Sequence, residues 1–238
     1  MLVVKIIASK DKATTDKVII GNNSQTAVLR EQLVSLLRIQ HIIEDYYNAQ
    51  SKYERLYYER RSKQYKNSVA AVPLNKIITI STQTKAFISM MMGEPHNVRG
   101  YYGSIMEHYN GKGKKIYSDD IHPAFYYTCA LANYKLDEMF CYHLIDRKYK
   151  KVRFHLLYAF RLMCEKSSLK SLNSNKSQVY CDHLCEILCD KQKCAKAFEA
   201  AVTLLDNALK RAPNDTDGNR ADLTNKIKQL MAQVNKMT

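Results

Sequence analysis

The chain has 238 residues, 46% of them apolar, enough for one large or two small domains around a sizeable core and too hydrophobic for a disordered chain. Its 37 Lys and Arg against 23 Asp and Glu leave a net charge of +14, which turns attention to nucleic acid, acidic protein or anionic membrane as partners. No apolar run approaches the roughly 18 residues of a membrane span, and MLVVKIIASKDK lacks the basic-then-apolar layout and cleavage site of a secretory signal.

Residues 2–8 and 17–20, with VVKII and KVII, read as short β-branched strands joined by the polar KDKATTD. A chain that opens almost at once on a core strand reads as a piece of a longer protein. GNNSQT follows, and Ser24 or Asn23 is the expected N-cap of a long helix from Ala27 to about Tyr47. Leu29, Leu33, Leu36, Ile43 and Tyr47 form its apolar stripe, with Gln40 completing it. Val28, Ile39, Ile42 and Tyr46 form a second flank. So wide an apolar arc predicts burial on two sides.

In KYERLYYERRSKQYK, residues 52–66, Tyr53, Tyr57, Tyr58 and Tyr65 alternate with Lys52, Arg55, Arg60, Arg61, Lys63 and Lys66. Aromatic residues favour an extended LYYER. Extended or mixed structure continues through 69–80, where Pro73 forbids a regular helix. Ser81 or Thr82 is the expected cap of a helix over 83–92, stopped by Gly93 and Pro95. A short helix over 99–109 and the loop NGKGKK come next. From His122 to Cys164 the pattern is helical, broken near Asp146–Lys151. SSLKSLNSNKSQ, 167–178, reads as a polar linker, then a long helix runs to about Arg211 and an amphipathic helix ends the chain. The expected fold is mainly α with a small β element near the N-terminus, an α+β chain with no internal repeat.

Seven cysteines, an odd number, without a signal peptide predict reduced thiols and a cytoplasmic location. Cys181, Cys185, Cys189 and Cys194 resemble a metal set. However, steps of four put thiols about 5.4 Å apart in a line that closes poorly around one ion, so core packing is the better reading. No CxxC pair occurs, and no cofactor or metal site is expected. Arg38 precedes His41 by three residues and Arg147 precedes His155 by eight, which fits no paired arginine–histidine ribonuclease motif. Asp119 and Asp120 beside His122 are candidates for metal binding or proton transfer, although adjacent aspartates before His-Pro more often make a turn and cap. GxxxxGK, GxGxxG, GxSxG and HExxH are all missing, and no catalytic residue is assigned.

The order of segments carries more than any one of them. VIIGNNSQTAV, LRIQHIIEDYY, YERLYYERRSKQY, KAFISMMMGEPHNVRGYY and HYNGKGKKIYSDD together resemble the abortive infection phage resistance (AIPR) family. Asn23, Gln25 and Thr26 match its amide motif and Gln40 its helix glutamine. Tyr58, Glu59, Arg60 and Arg61 match a Y-E-R-K stretch with arginine in the lysine place, and Gly93 and Pro95 match its helix stop. Gly21 departs from the pattern. The resemblance covers about residues 3–130. It implies a bacterial antiphage role and a usual N-terminal nuclease-like domain that this stretch lacks.

The expected layout is an AIPR-like α+β core over 1–166, the linker 167–178, and a helical region over 179–238 packed on the core. The expected function is nucleic-acid binding without catalysis through Asn23, Gln25, Thr26, Arg55, Arg60, Arg61, Lys63 and Lys66. Arginine and lysine meet phosphates there, and tyrosine rings stack on bases. Asn23 and Gln25 are expected to build a buried polar network facing Arg60 or Arg61. The alternatives are a docking module for a nuclease-like domain or for a second copy, and a metal-dependent nuclease built on Asp119, Asp120 and His122.

Overall fold

The computed structural model describes residues 34–66, 72–111, 113, 115–165, 172–174, 176–210 and 220–237. Among them are eight α-helices and one two-stranded parallel sheet, in the order α1 (Arg38–Ala49), β1 (Tyr57–Glu59), β2 (Ile77–Thr79), α2 (Ile80–Met90), α3 (Tyr102–Gly111), α4 (Ala124–Cys141), α5 (Arg153–Cys164), α6 (Ser177–Cys189), α7 (Lys191–Lys210) and α8 (Arg220–Met237). The mainly α architecture with a small β element is as expected. The expected strands 2–8 and 17–20 and the cap at Ser24 or Asn23 lie outside the described residues.

The helix expected to run unbroken from Ala27 to Tyr47 is interrupted in its described part. Leu37 is extended, with ψ 143°, and α1 starts at Arg38 without a side-chain cap. Both flanks of its apolar arc are used. Ile39, Gln40, Ile43 and Tyr47 are buried, while Ile42 and Tyr46 pack half-buried against the core. Tyr57, Tyr58 and Glu59 pair with Ile77, Ile78 and Thr79, and Tyr58 and Ile78 point inward together.

The α2 cap is Thr79, whose Oγ1 accepts from the Thr82 backbone N–H at 3.2 Å, two or three residues before the expected caps Ser81 and Thr82. Strand β2 therefore runs straight into the helix, and its last hydroxyl satisfies one of the helix's open donors. Gly93 ends the segment at φ +65°, where an added Cβ would lie 3.3 Å from Tyr158 Cε2. Both the backbone sign and the space favour glycine.

Helix α4 is buried on almost every face, from Ala124 through Tyr134 and on to Phe140. A helix apolar all round belongs at the centre of a layered bundle, and α1, α2, α5 and α6 pack around it. Tyr126 stacks between Phe87 of α2, at 4.6 Å between ring centroids, and Tyr117, at 5.4 Å. Phe160 of α5 stacks on Phe198 of α7 at 4.4 Å. Arg161 clips three helices together. It donates to the Met90 carbonyl at the end of α2, to the Tyr180 hydroxyl on α6, and to Glu165. The long helix expected up to Arg211 is two helices, because Asp190 turns extended between them and its carboxylate accepts from the N–H groups of Gln192 and Lys193. That carboxylate caps α7.

Candidate functional site

Strand β1 and the turn after it bring most of the sequence-predicted binding residues together. Arg55, Arg61, Lys63 and Lys66 are exposed, and Tyr57 and Tyr65 are half-buried beside them, edge to face at 5.8 Å. Arg55 donates to the Asn48 carbonyl at 2.7 Å and lies over the Tyr57 ring at 5.5 Å. Lys63 has φ 62°, so the turn reverses sharply at that residue.

The turn is held from beneath. Gln64 Oε1 accepts from the backbone N–H groups of Arg60 and Arg61, and its Nε2 donates to Glu44 Oε1 at 2.7 Å. Arg60 Nε donates to the other Glu44 oxygen at 2.8 Å, and its NH1 donates to the Ser35 carbonyl at 2.8 Å. The Tyr65 hydroxyl closes the turn onto the Tyr58 carbonyl at 3.2 Å. Burial alone would raise the Glu44 carboxyl, but the hydrogen bonds from Arg60 and Gln64 outweigh it and hold the group below the ordinary carboxylate range. Glu44 is therefore charged and answers the buried guanidinium.

Arg60 differs from the other predicted contacts. At 5% exposure its charge is matched inside the protein, so it serves as the anchor of the turn. Asn23, Gln25 and Thr26 lie outside the described residues, as does the network expected between Asn23 or Gln25 and Arg60 or Arg61. The partners observed for the Arg60 side chain come from α1 and the segment before it.

A second polar network lies deeper. The Tyr58 hydroxyl donates to Gln40 Oε1, and the Tyr47 hydroxyl donates to Gln83 Oε1 at 2.8 Å. Thr84 Oγ1 and the Tyr117 hydroxyl share a hydrogen bond at 2.7 Å. Gln40, Gln83 and Thr84 have no solvent exposure. Burial pushes the Tyr117 hydroxyl up to about 12 and that of Tyr58 well above its ordinary value, so both rings stay neutral. Among the described residues the two amide Nε2 atoms have no hydrogen-bond partner within ordinary geometry. Gln83 gave no signal in the sequence beyond its place in a helical segment.

Asp119, Asp120 and His122 line a shallow cavity of about 420 Å³ with Ile42, Asn173 and Gln178. His122 Nδ1 accepts from the Ala124 N–H at 3.2 Å, so the ring caps α4, and burial lowers its basicity. Asp120 bonds the Ser118 hydroxyl, and Asp119 faces Arg38 at 3.7 Å on the surface. Asp120 and His122 thus serve the turn and the helix start, and Asp119 makes a surface ion pair. Cys181, Cys185 and Cys194 belong to the core, and Cys189 is exposed. Burial pushes the Cys185 thiol up to about 12, and it contacts Thr128 Oγ1 at 3.3 Å. Among the described residues no helix is long and apolar enough to cross a membrane.

A family model described as AIPR protein matches residues 1–232. No curated protein and no solved structure matches the chain.

Proposed function

The chain belongs to the AIPR family of abortive-infection, antiphage defence proteins, and from that premise we propose that it is a non-catalytic module that binds nucleic acid in a bacterial defence response. The observation that carries this reading is the turn after β1. Three exposed cations, Arg61, Lys63 and Lys66, are displayed on a segment fixed by Arg60, Gln64 and Glu44, and a fourth, Arg55, stands just before β1. A fixed cationic surface loses less side-chain and loop freedom on meeting a phosphate backbone than a loose one does. Tyr57 and Tyr65 stand beside those charges as stacking surfaces for unpaired bases. The net charge of +14 adds a general attraction that speeds encounter.

The apolar arc of α1, one of the sequence features that favour docking to a nuclease-like domain or a second copy, is covered in its described part by α4 and β1. It therefore gives that alternative little weight. Fluorescence anisotropy with single-stranded DNA, duplex DNA and single-stranded RNA across a salt series tests the reading. The expected result is binding whose log K falls linearly with log salt, by about 0.7–0.9 per phosphate contacted. Weak binding with no salt slope would remove it.

A further inference from the structure

The basic stretch RKYKKVR, 147–153, reads in sequence as a solvated helix junction. The fold makes it the rim of a second site. Residues Arg147–Val152 form a 3₁₀ turn leading into α5, and Lys150, Lys151 and Arg153 line a cleft of about 510 Å³. Lys85 of α2 and Arg99, from the turn after Pro95–Val98, line the same cleft. Among the described residues, the lining holds these five cations and no carboxylate.

The charge is only partly compensated by neighbours. Arg153 donates to Asn133 and pairs with Asp137, each at 2.8 Å, so its charge is matched. Lys85 Nζ donates to the Gly100 carbonyl at 2.9 Å, which leaves its other two N–H groups for an incoming acceptor. Lys150 stands over the Phe140 ring at 5.7 Å, an interaction that positions the ammonium without neutralising it. Lys151 is exposed. The floor is fixed by a buried chain. The Thr224 hydroxyl of α8 lies 3.1 Å from His96 Nδ1 and 3.2 Å from His155 Nε2, and His155 lines the cleft. Pro95, Val98, Val152 and Phe154 supply an apolar wall.

We propose that this cleft binds a nucleotide carrying two or more phosphates. Several cations that converge on one concavity match charges clustered on a polyphosphate, and the apolar wall offers a surface to a base. A nucleic-acid strand spreads its charges along an axis and suits an extended groove better. The volume lies within the ordinary range for small-ligand sites. This site shares no residue with the turn after β1 and stands independently of the nucleic-acid reading.

Isothermal titration of the full chain with ATP, pyrophosphate, adenosine and sulfate at one ionic strength tests the assignment. ATP and pyrophosphate should bind and adenosine should not. Lys150→Ala with Lys151→Ala should weaken ATP by about tenfold or more, with an unchanged melting temperature because both side chains are exposed. Arg61→Ala with Lys63→Ala should leave ATP affinity as it was. Four results would overturn the assignment: no ATP binding to the unaltered chain, an unchanged affinity in the Lys150/Lys151 variant, an equal loss in both variants, or displacement of ATP by equimolar sulfate. If ATP does not bind while a single-stranded oligonucleotide does and is lost on altering Lys150 and Lys151, the cleft is a strand groove and the nucleotide assignment fails. The nucleic-acid reading survives that outcome.

Discussion

Arg60 and Arg61 are neighbours with opposite fates. Arg60 is buried in a pair with Glu44, and Arg61 stands in solvent. Arg60→Ala leaves a partly buried carboxylate unmatched and should cost about 3 kcal/mol in chemical denaturation, near the low end for such pairs because Glu44 still touches water. Arg61→Ala should leave stability within about 0.5 kcal/mol. The Glu44 carboxyl is lowered in the fold, so its contribution is complete above the ordinary carboxyl value and is lost as pH falls through the lowered one. Melting temperature followed from neutral to acid pH should drop less steeply in Glu44→Gln, from a lower start. A parallel drop would show that the pair carries no pH-dependent share. Deeper in, Tyr58→Phe and Gln40→Met should each destabilise by about 1–3 kcal/mol, since each leaves a buried polar atom unanswered. The double variant should cost clearly less than the sum, because no orphan remains. Strict additivity would mean that the Tyr58–Gln40 hydrogen bond does not couple them.

Elements were legible where one local pattern decided them. The extended form favoured by the aromatic residues of LYYER, the Pro73 break and the Gly93 stop all appear where the residues place them. Boundaries that depend on a tertiary partner did not read correctly. Ser81 and Thr82 are good cap residues, yet Thr79 takes the role because parallel pairing of β2 with β1 holds it extended just before the helix. Thr79→Ala should therefore lower stability by about 1 kcal/mol, and Ser81→Ala should not. Equal losses would place the cap elsewhere. Leu37 breaks the long apolar helix although leucine is a good helix former, and Asp190 divides another by offering its carboxylate to two backbone donors. In the candidate site, the exposed cations of 55–66 were legible from composition. The anchoring of Arg60 was not, since its partner Glu44 is sixteen residues away on α1. The cleft was half legible. RKYKKVR announces charge, but only the packing of α2 and the Pro95–Val98 turn against α5 brings Lys85 and Arg99 into the same cleft.

On the scale of the whole molecule, a net charge of +14 draws any polyanion, so affinity alone says little about where it binds. The proposed function makes a narrower claim, that a small set of side chains beside β1 carries the phosphate contacts. Removing three charges from a chain of this net charge changes the general field modestly. Removing them from the contact surface takes away specific counterion release. The test is the salt slope of oligonucleotide binding in the variant Arg61→Ala, Lys63→Ala, Lys66→Ala, measured beside the unaltered chain and at matched stability. The account predicts a slope shallower by about 2–3 and a marked loss of affinity at low salt. An unchanged slope and affinity would contradict it and would move the nucleic-acid contact away from this turn.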